Sequence, residues 1–401
     1  MPRTLLLSIC LSLTLVPSTA PVSAQSPSIP PTCAVSTQIR VPAGQPPRLA
    51  GRWRRLPDAP IGHRDGPVVV WTGTELIVWG GAGSDSRVGA AYDPATRHWR
   101  TMAKAPIVPD PSIPAIWTGT ELLVWGGRMP TADPHAGQSN AAAAYSPTTD
   151  TWRRIASPEG ASGPVTDLAV WTGTEMLAWG WFDGSSARGA RLLAYSPTTD
   201  TWRQTGSAPV RPDAPATATM AWTGSELVVV GYPYDVALDD IAARAAAYTP
   251  ATDTWRDLGT LPMLASGMPD AVPAHDSVLL LNADQWPDDS YRPAPAARDL
   301  VFDPTTGCDR VPSAAPWASS TGSPSAWTGH FLMFPGARGL AYDPATDSWL
   351  RLPREAGLEQ PIVASVTWAT DRLLVLGAPY LPDTGRNDPD LRPAYEFVPA
   401  R

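Results

Sequence analysis

The sequence predicts an all-β fold: a seven-bladed β-propeller of four-stranded antiparallel blades, closed by an N-terminal strand that completes the last blade. Three observations predict it. First, one sentence recurs. WTGTELIVWGG, a loop, then AAYDPATRHW stands at Trp71–Trp99 and returns at Trp117–Trp152, Trp171–Trp202 and Trp222–Trp255, and in worn form to the end. Its period is about 50 residues, in the range of propeller blades. Second, each unit is built of short apolar runs bounded by turn residues, the signature of strands. Third, Gly51–Pro57 reads like the last strand of a unit whose first three strands are missing before it.

Each element of the unit has a local reason. PVVVW and LIVW are continuously apolar, as strands covered on both faces are. Thr72-Gly73-Thr74-Glu75 between them supplies a tight hairpin, since Gly accepts positive φ at no steric cost. Gly80-Gly81 ends the second strand where the backbone must bend or meet a neighbour closely. The third strand, Gly89–Tyr92, runs into Asp93-Pro94-Ala95-Thr96, where the Asp side chain caps a turn and Pro presets φ. Trp99 opens the fourth strand. Asp150 precedes an equivalent strand, TWRRIASP, and GRWRRLP at Gly51 has the same form. The C-terminal run PIVASVTWATDRLLVLG and Pro393–Val398, with Tyr395 taken as the unit's Tyr, lacks a following Trp. The N-terminal strand therefore completes it, which removes two open sheet edges at once.

The blades are expected near 64–104, 113–157, 163–206, 215–259, 270–312, 322–354 and 362–400 plus 51–57, as one domain over 51–401. The fifth is degenerate, with Phe302 for Tyr and Asp309 for Trp, so six or eight blades are the alternative counts. Of 18 Trp, all but Trp181, Trp286 and Trp317 fall at repeat positions. Stacked blades need such large apolar faces.

A Gly-Gly doublet, a Tyr, six residues and a Trp resembles the kelch pattern. It stands as Gly80-Gly81/Tyr92/Trp99 and Gly126-Gly127/Tyr145/Trp152, and later units keep Tyr195/Trp202 and Tyr248/Trp255 while losing the second Gly. The resemblance covers roughly Gly51–Arg401 and implies the propeller of the galactose oxidase central domain, in a secreted bacterial form. Kelch propellers bind proteins, glycans or small molecules, and a few are enzymes. The oxidases use a copper centre with two His, two Tyr and a Cys–Tyr crosslink. The five His here, at 63, 98, 135, 275 and 330, form no close pair in sequence, so that activity is not expected.

Residues 1–24 read as a secretory signal: Arg3, the apolar LLLSICLSLTLV, then Val22-Ser23-Ala24 as a small-residue cleavage site. Ile9 before Cys10 argues against a lipid-modified Cys, and the run is too short for a span. A secreted or extracytoplasmic location follows, with no membrane insertion. Residues 25–50 form a Pro/Ser-rich arm. In an exported chain the two remaining thiols, Cys33 and Cys308, are expected to pair, pinning arm to ring. The net charge is −8, with a single Lys, Lys104, and no basic run, so nucleic acid is not an expected partner.

The repeat separates structure from function. Its two turn types lie on one face and barely vary; the loops of the opposite face differ in every blade. Loops on a rigid scaffold carry binding. The ligand-binding candidates are therefore Trp181 and Asp183 in blade three, Tyr234 and Asp235 in blade four, Trp286, Asp288, Tyr291 and Arg292 in blade five, and Tyr380 and Arg386 in blade seven. Aromatics beside carboxylates and Arg suit a glycan or a protein. Packing aromatics on solvated loops are the alternative. A second set, His63, Arg64, Asp65, Asp110, Asp167 and Asp270, lies where fourth strands cross to the next blade near the channel. It carries the alternative function, a sugar-modifying enzyme resembling the kelch sialic acid mutarotases, with His63, Arg64, Asp65 and Asp167 as acid–base groups. A non-catalytic surface scaffold is the third reading. Recurrent Glu75, Glu121, Glu175 and Glu226, and Arg244, Arg298, Arg338 and Arg392, are read as structural, in pairs between blades. No metal cluster, nucleophile elbow or phosphate loop is present in the sequence. No cofactor is predicted; the Asp-rich loops leave room for one Ca²⁺ although they lack the order of a calcium loop.

Overall fold

In the computed structural model the described residues are 45–62, 64, 66–82, 85–109, 113–130, 140–182, 190–210, 218–231, 242–264, 269–274, 277–282, 299–310, 312, 324–335, 339–354, 363–377, 380–381, 386–387 and 394–400. Residues 1–44, which include the expected signal and most of the arm, lie outside them. The seven blades are seven four-stranded antiparallel sheets. Blade 1 is Val68–Trp71, Leu76–Trp79, Ala90–Asp93 and His98–Thr101. Blade 2 is Ala115–Trp117, Leu122–Arg128, Ala141–Ser146 and Thr151–Ile155, with Val108–Pro109 as an added short strand. Blade 3 is Gly163–Trp171, Met176–Trp181, Ala190–Ser196 and Thr201–Gln204. Blade 4 is Ala218–Trp222, Leu227–Gly231, Ala242–Thr249 and Thr254–Leu264. Blade 5 is Pro269–Ala274, Ser277–Asn282, Leu300–Asp303 and Cys308–Arg310. Blade 6 is Ala326–Trp327, Leu332–Phe334, Leu340–Asp343 and Ser348–Arg351. Blade 7 is Val363–Ala369, Arg372–Gly377 and Ala394–Pro399, completed by Gly51–Arg55.

The first strands touch one another in sequence, from blade 1 round to blade 7 and back to blade 1. They are the innermost strands, and each pairs on one side only. This explains a departure from the sequence reading. Val68–Trp71 is half-buried along its length rather than covered on both faces, whereas Leu76–Trp79 is wholly buried. There are seven apolar cores among the described residues, one in each seam between adjacent blades. Stability is therefore distributed around the ring.

The constant face is built from two turns. In the first, Thr72 Oγ1 accepts the Glu75 N–H at 2.9 Å and donates to the Glu75 carbonyl, and Gly73 takes φ 97°. A Cβ there would meet nothing within 4 Å, so the backbone angle alone selects Gly. In the second, Asp93 accepts the Ala95 N–H and the Thr96 hydroxyl, each at 2.8 Å, as the turn chemistry predicts. Gly126 combines both demands on glycine: φ is 111°, and a Cβ would stand 2.7 Å from Pro164 of the next blade.

The seams carry a repeated polar lock. Glu75 pairs with both Nε and NH2 of Arg100 in its own blade, at 2.9 and 2.7 Å. Arg100 then reaches across to Tyr145 and Asp150 of blade 2. Tyr145 donates its hydroxyl to Asp150 at 2.7 Å. Asp150 and Trp152 grip one residue of blade 1: Ala103 gives its N–H to Asp150 and its carbonyl accepts the Trp152 indole, each at 2.9 Å. Asp200 and Trp202 hold Ala156 in the same way, and Asp253 and Trp255 hold Gly206. The recurrent Glu thus pairs within its blade, with Arg153, Arg203 and Arg256 in the next three, and not between blades as the sequence suggested. Arg244 also pairs within its blade, with Asp257 at 2.6 Å. Burial opposes the charge of Asp150, but the Ala103 N–H, the Tyr145 hydroxyl and Arg100 outweigh it and hold the carboxyl below its usual range. Burial, then the Asp253 contact, pushes the Tyr248 hydroxyl up to about 12.

Aromatic contacts follow the same plan. Trp79 lies 4.8 Å from Trp152, and Trp125 5.0 Å from Trp202, across the seams. Blade 5 has Leu281 at the equivalent register, and a small void lined by Leu281, Phe334 and Trp349 marks that seam.

Register corrects one detail of the last blade. Phe397 lies opposite both Leu373 and Trp53, as Tyr92 lies opposite Leu76 and Trp99. Phe397, not Tyr395, holds the blade's Tyr position, and Trp53 is its missing Trp, 5.0 Å away.

Candidate functional site

Opposite the constant face lie the loops from second to third strand and the connections from fourth strand to the next blade. The described part of this face is best defined at blade 1. Arg64, 9% exposed, donates to the carbonyls of Asp85 and Val88 at 3.1 and 3.3 Å. Arg87 donates through Nε to the Ala105 carbonyl at 2.7 Å, and its own carbonyl accepts the Trp79 indole. Lys104 reaches Asp85 at 3.0 Å. Three cations from three segments thus fix the loop that Asp85 closes with φ 43°. Arg64, an acid–base candidate by sequence, serves here as a brace for that loop. Its neighbours His63 and Asp65, and Asp110, lie outside the described residues.

Blade 3 contributes Trp181 at the end of its second strand. Its ring is half-buried against the core between blades 3 and 4. Phe182 turns the other way and packs into the core between blades 2 and 3, over Gly160. Asp167 sits on the innermost strand of blade 3, within an irregular stretch between Pro164 and Ala169, and Asp270 sits on that of blade 5. The backbone places both at the channel; their side chains are outside the described set. Blade 2 leaves Met129 38% exposed at the same face. In blade 7 a two-stranded ribbon rises from the loop, Tyr380–Leu381 against Arg386–Asn387. Tyr380 lies opposite Asn387 and Leu381 opposite Arg386, so the register puts Tyr380 and Arg386 on opposite faces of the ribbon. Asp183, Tyr234, Asp235, Trp286, Asp288, Tyr291 and Arg292 lie outside the described residues. So does Cys33, and the Cys308 side chain with it.

Sequence reasoning missed the Arg that follows the fourth-strand Trp. The signal was there, as the dipeptide Trp-Arg at Trp53, Trp99, Trp152, Trp202 and Trp255. Among the described residues no group of three His, Cys, Asp or Glu could hold a metal ion. His330, 60% exposed, stands 3.8 Å from Asp343 and edge-on to Phe331. Among the described residues no helix is long and apolar enough to cross a membrane.

No protein-family model matches the chain, and a search of curated proteins finds no similar sequence. Fold and face geometry define the class. The molecule is a seven-bladed β-propeller, a fold suited to binding, with one uniform face and one face of unlike loops.

Proposed function

We propose that this chain is a secreted kelch-type propeller that binds a glycan or a protein through its variable loop face. One observation carries the reading: the two faces are built differently. On the constant face the turns repeat the same internal hydrogen bonds in blades 1 to 3, so their polar groups are spent on architecture. On the other face each described loop has its own construction: a cation-braced loop in blade 1, a split aromatic pair in blade 3, a ribbon in blade 7. A rigid ring presenting unlike loops is a recognition surface. The leader-like residues 1–24 support export, and with it a Cys33–Cys308 disulfide.

The test is a glycan array probed with residues 25–401, with and without Ca²⁺, followed by Trp286→Ala and Tyr291→Ala. Binding to one glycan class, lost in both variants, is the expected result. Binding that survives shortening of residues 283–298 and the blade 7 ribbon together overturns the assignment to this face.

A further inference from the structure

The seam between blade 7 and blade 1 departs in its charges from the seams that follow blades 1 and 3. In the seams following blades 1 and 3, the leading blade offers an Arg and the following blade an Asp. Here the order is reversed. Glu396 is fully buried in the third strand of blade 7. Its register is that of Ala91, Ala144, Ala194, Ala247, Val301 and Ala341, each immediately before the Tyr or Phe of its blade. Arg372 stands where blades 1 to 4 carry the pairing Glu, and donates to Glu396 at 3.0 Å. Arg97 stands where blades 2 to 4 carry the locking Asp, with the same positive φ, and pairs with Glu396 across the seam. Arg54 adds a third cation at 3.9 Å. Arg97 also holds the Arg55 carbonyl at 3.0 Å. The Tyr92 hydroxyl, whose counterparts bond to Asp, is buried with no hydrogen-bond partner.

We propose that this inverted lock makes the ring close on its own first blade, and on nothing else. Near-identical repeats offer many wrong closures: a smaller ring, or the N-terminal strand of a second copy. Charge rejects them from both sides. Glu396 brought against the entering edge of blade 2, 3 or 4 would exchange Arg97 for Asp150, Asp200 or Asp253 and keep only Arg54 and Arg372 of its own blade. The exit edge of blade 1 or 3, brought against blade 1, would set Arg100 or Arg203 against Arg97. Of these closures, only blade 7 on blade 1 gives Glu396 a cation from the facing blade. Removing one partner of a buried pair leaves a buried charge without compensation, so mismatch is costly. Specificity built from repulsion of the wrong partner is a general device among similar elements.

The experiment uses residues 25–401, refolded from denaturant over a range of concentrations and sized by chromatography with light scattering. Arg97→Asp sets two acids together and should lower the unfolding midpoint and the monomer yield. The double variant R97D/E396A gives the seam the polarity of its neighbours, with the Ala that other blades carry. It should regain most of the midpoint, yet form oligomers as concentration rises where the parent stays monomeric. Asp150→Arg, in an ordinary seam, should lower the midpoint without adding oligomers. An unchanged midpoint in R97D, a double variant as monomeric as the parent, or oligomers in D150R at the level of the double variant would each overturn the proposal.

Discussion

Asp150, Asp200 and Asp253 do three things at once, and the repeat itself shows which matter. Each sits at positive φ, near 50°, a region that Asp tolerates better than most residues. Each accepts a Tyr hydroxyl from its own blade and a backbone N–H from the blade before. Where the preceding blade presents proline at that point, the carboxylate is absent. Trp99 bonds to the Pro57 carbonyl and Trp53 to that of Pro353, and two residues before them stand Arg97 and Gly51. Proline has a carbonyl but no N–H, so half of the grip has no donor to accept. Asp200→Gly and Asp200→Ala separate bonding from backbone strain. Both lose the acceptor for Tyr195 and Ala156, which should cost about 1–3 kcal/mol because a buried hydroxyl is left with no acceptor for its proton. Alanine should cost about 1 kcal/mol more, for a left-handed backbone that glycine takes freely. Urea unfolding of the two variants beside the parent measures both. Equal losses would mean that strain is not part of the cost.

At the level of elements, the end of the arm behaves unlike a tether. Leu49 donates to the Arg351 carbonyl, and Arg351 donates to that of Pro47, both at 2.7 Å, along the outer strand of blade 6. The chain then enters blade 7 as its fourth strand and meets blade 1 through Arg55 and Pro57. One segment therefore spans three blades. Leu49→Pro deletes the first N–H and should lower stability by about 1 kcal/mol or somewhat more, read as an earlier urea midpoint with unchanged slope. The sequence showed the strand from Gly51 because Arg-Trp-Arg-Arg copies a fourth strand. It did not show residues 45–50 as docked, since Gln45-Pro46-Pro47 has no period and their bonds are to a distant backbone. The same contrast holds elsewhere. Strands and turns were legible because each repeat restates the local chemistry. Phe397 was misread because a nearby Tyr395 imitates the pattern and only register separates them. The bracing by Arg64 was not legible, because the carbonyls it holds, 21 and 24 residues on, leave no mark in the sequence.

For the molecule as a whole, the repeated locks should make stability flat over a wide pH range and steep at both ends. The Ala156 N–H and the Tyr195 hydroxyl hold Asp200 below its ordinary 3.8, the Tyr248 hydroxyl does the same for Asp253, and Asp150 and Asp343 are also lowered. A carboxyl whose folded value is depressed contributes stability above its unfolded value and loses it as pH falls through the folded one. The acid limb should therefore begin near pH 4 and deepen below it. The tyrosines act in the opposite sense. Burial, then the neighbouring Asp, raises Tyr145 and Tyr195 well above 10.0, and Tyr248 to about 12. A group raised on folding contributes fully below its unfolded value and loses that contribution as pH rises toward the folded one. The alkaline limb should begin near pH 10 and run toward 12. Because the tyrosines sit in three successive seams, the limb should be steeper than one group can make it. Thermal midpoints from pH 2 to 12 measure the profile. The triple variant Y145F/Y195F/Y248F should lower the plateau and flatten the alkaline limb while leaving an acid limb in place. An alkaline limb equally steep without the three hydroxyls would assign it to other groups.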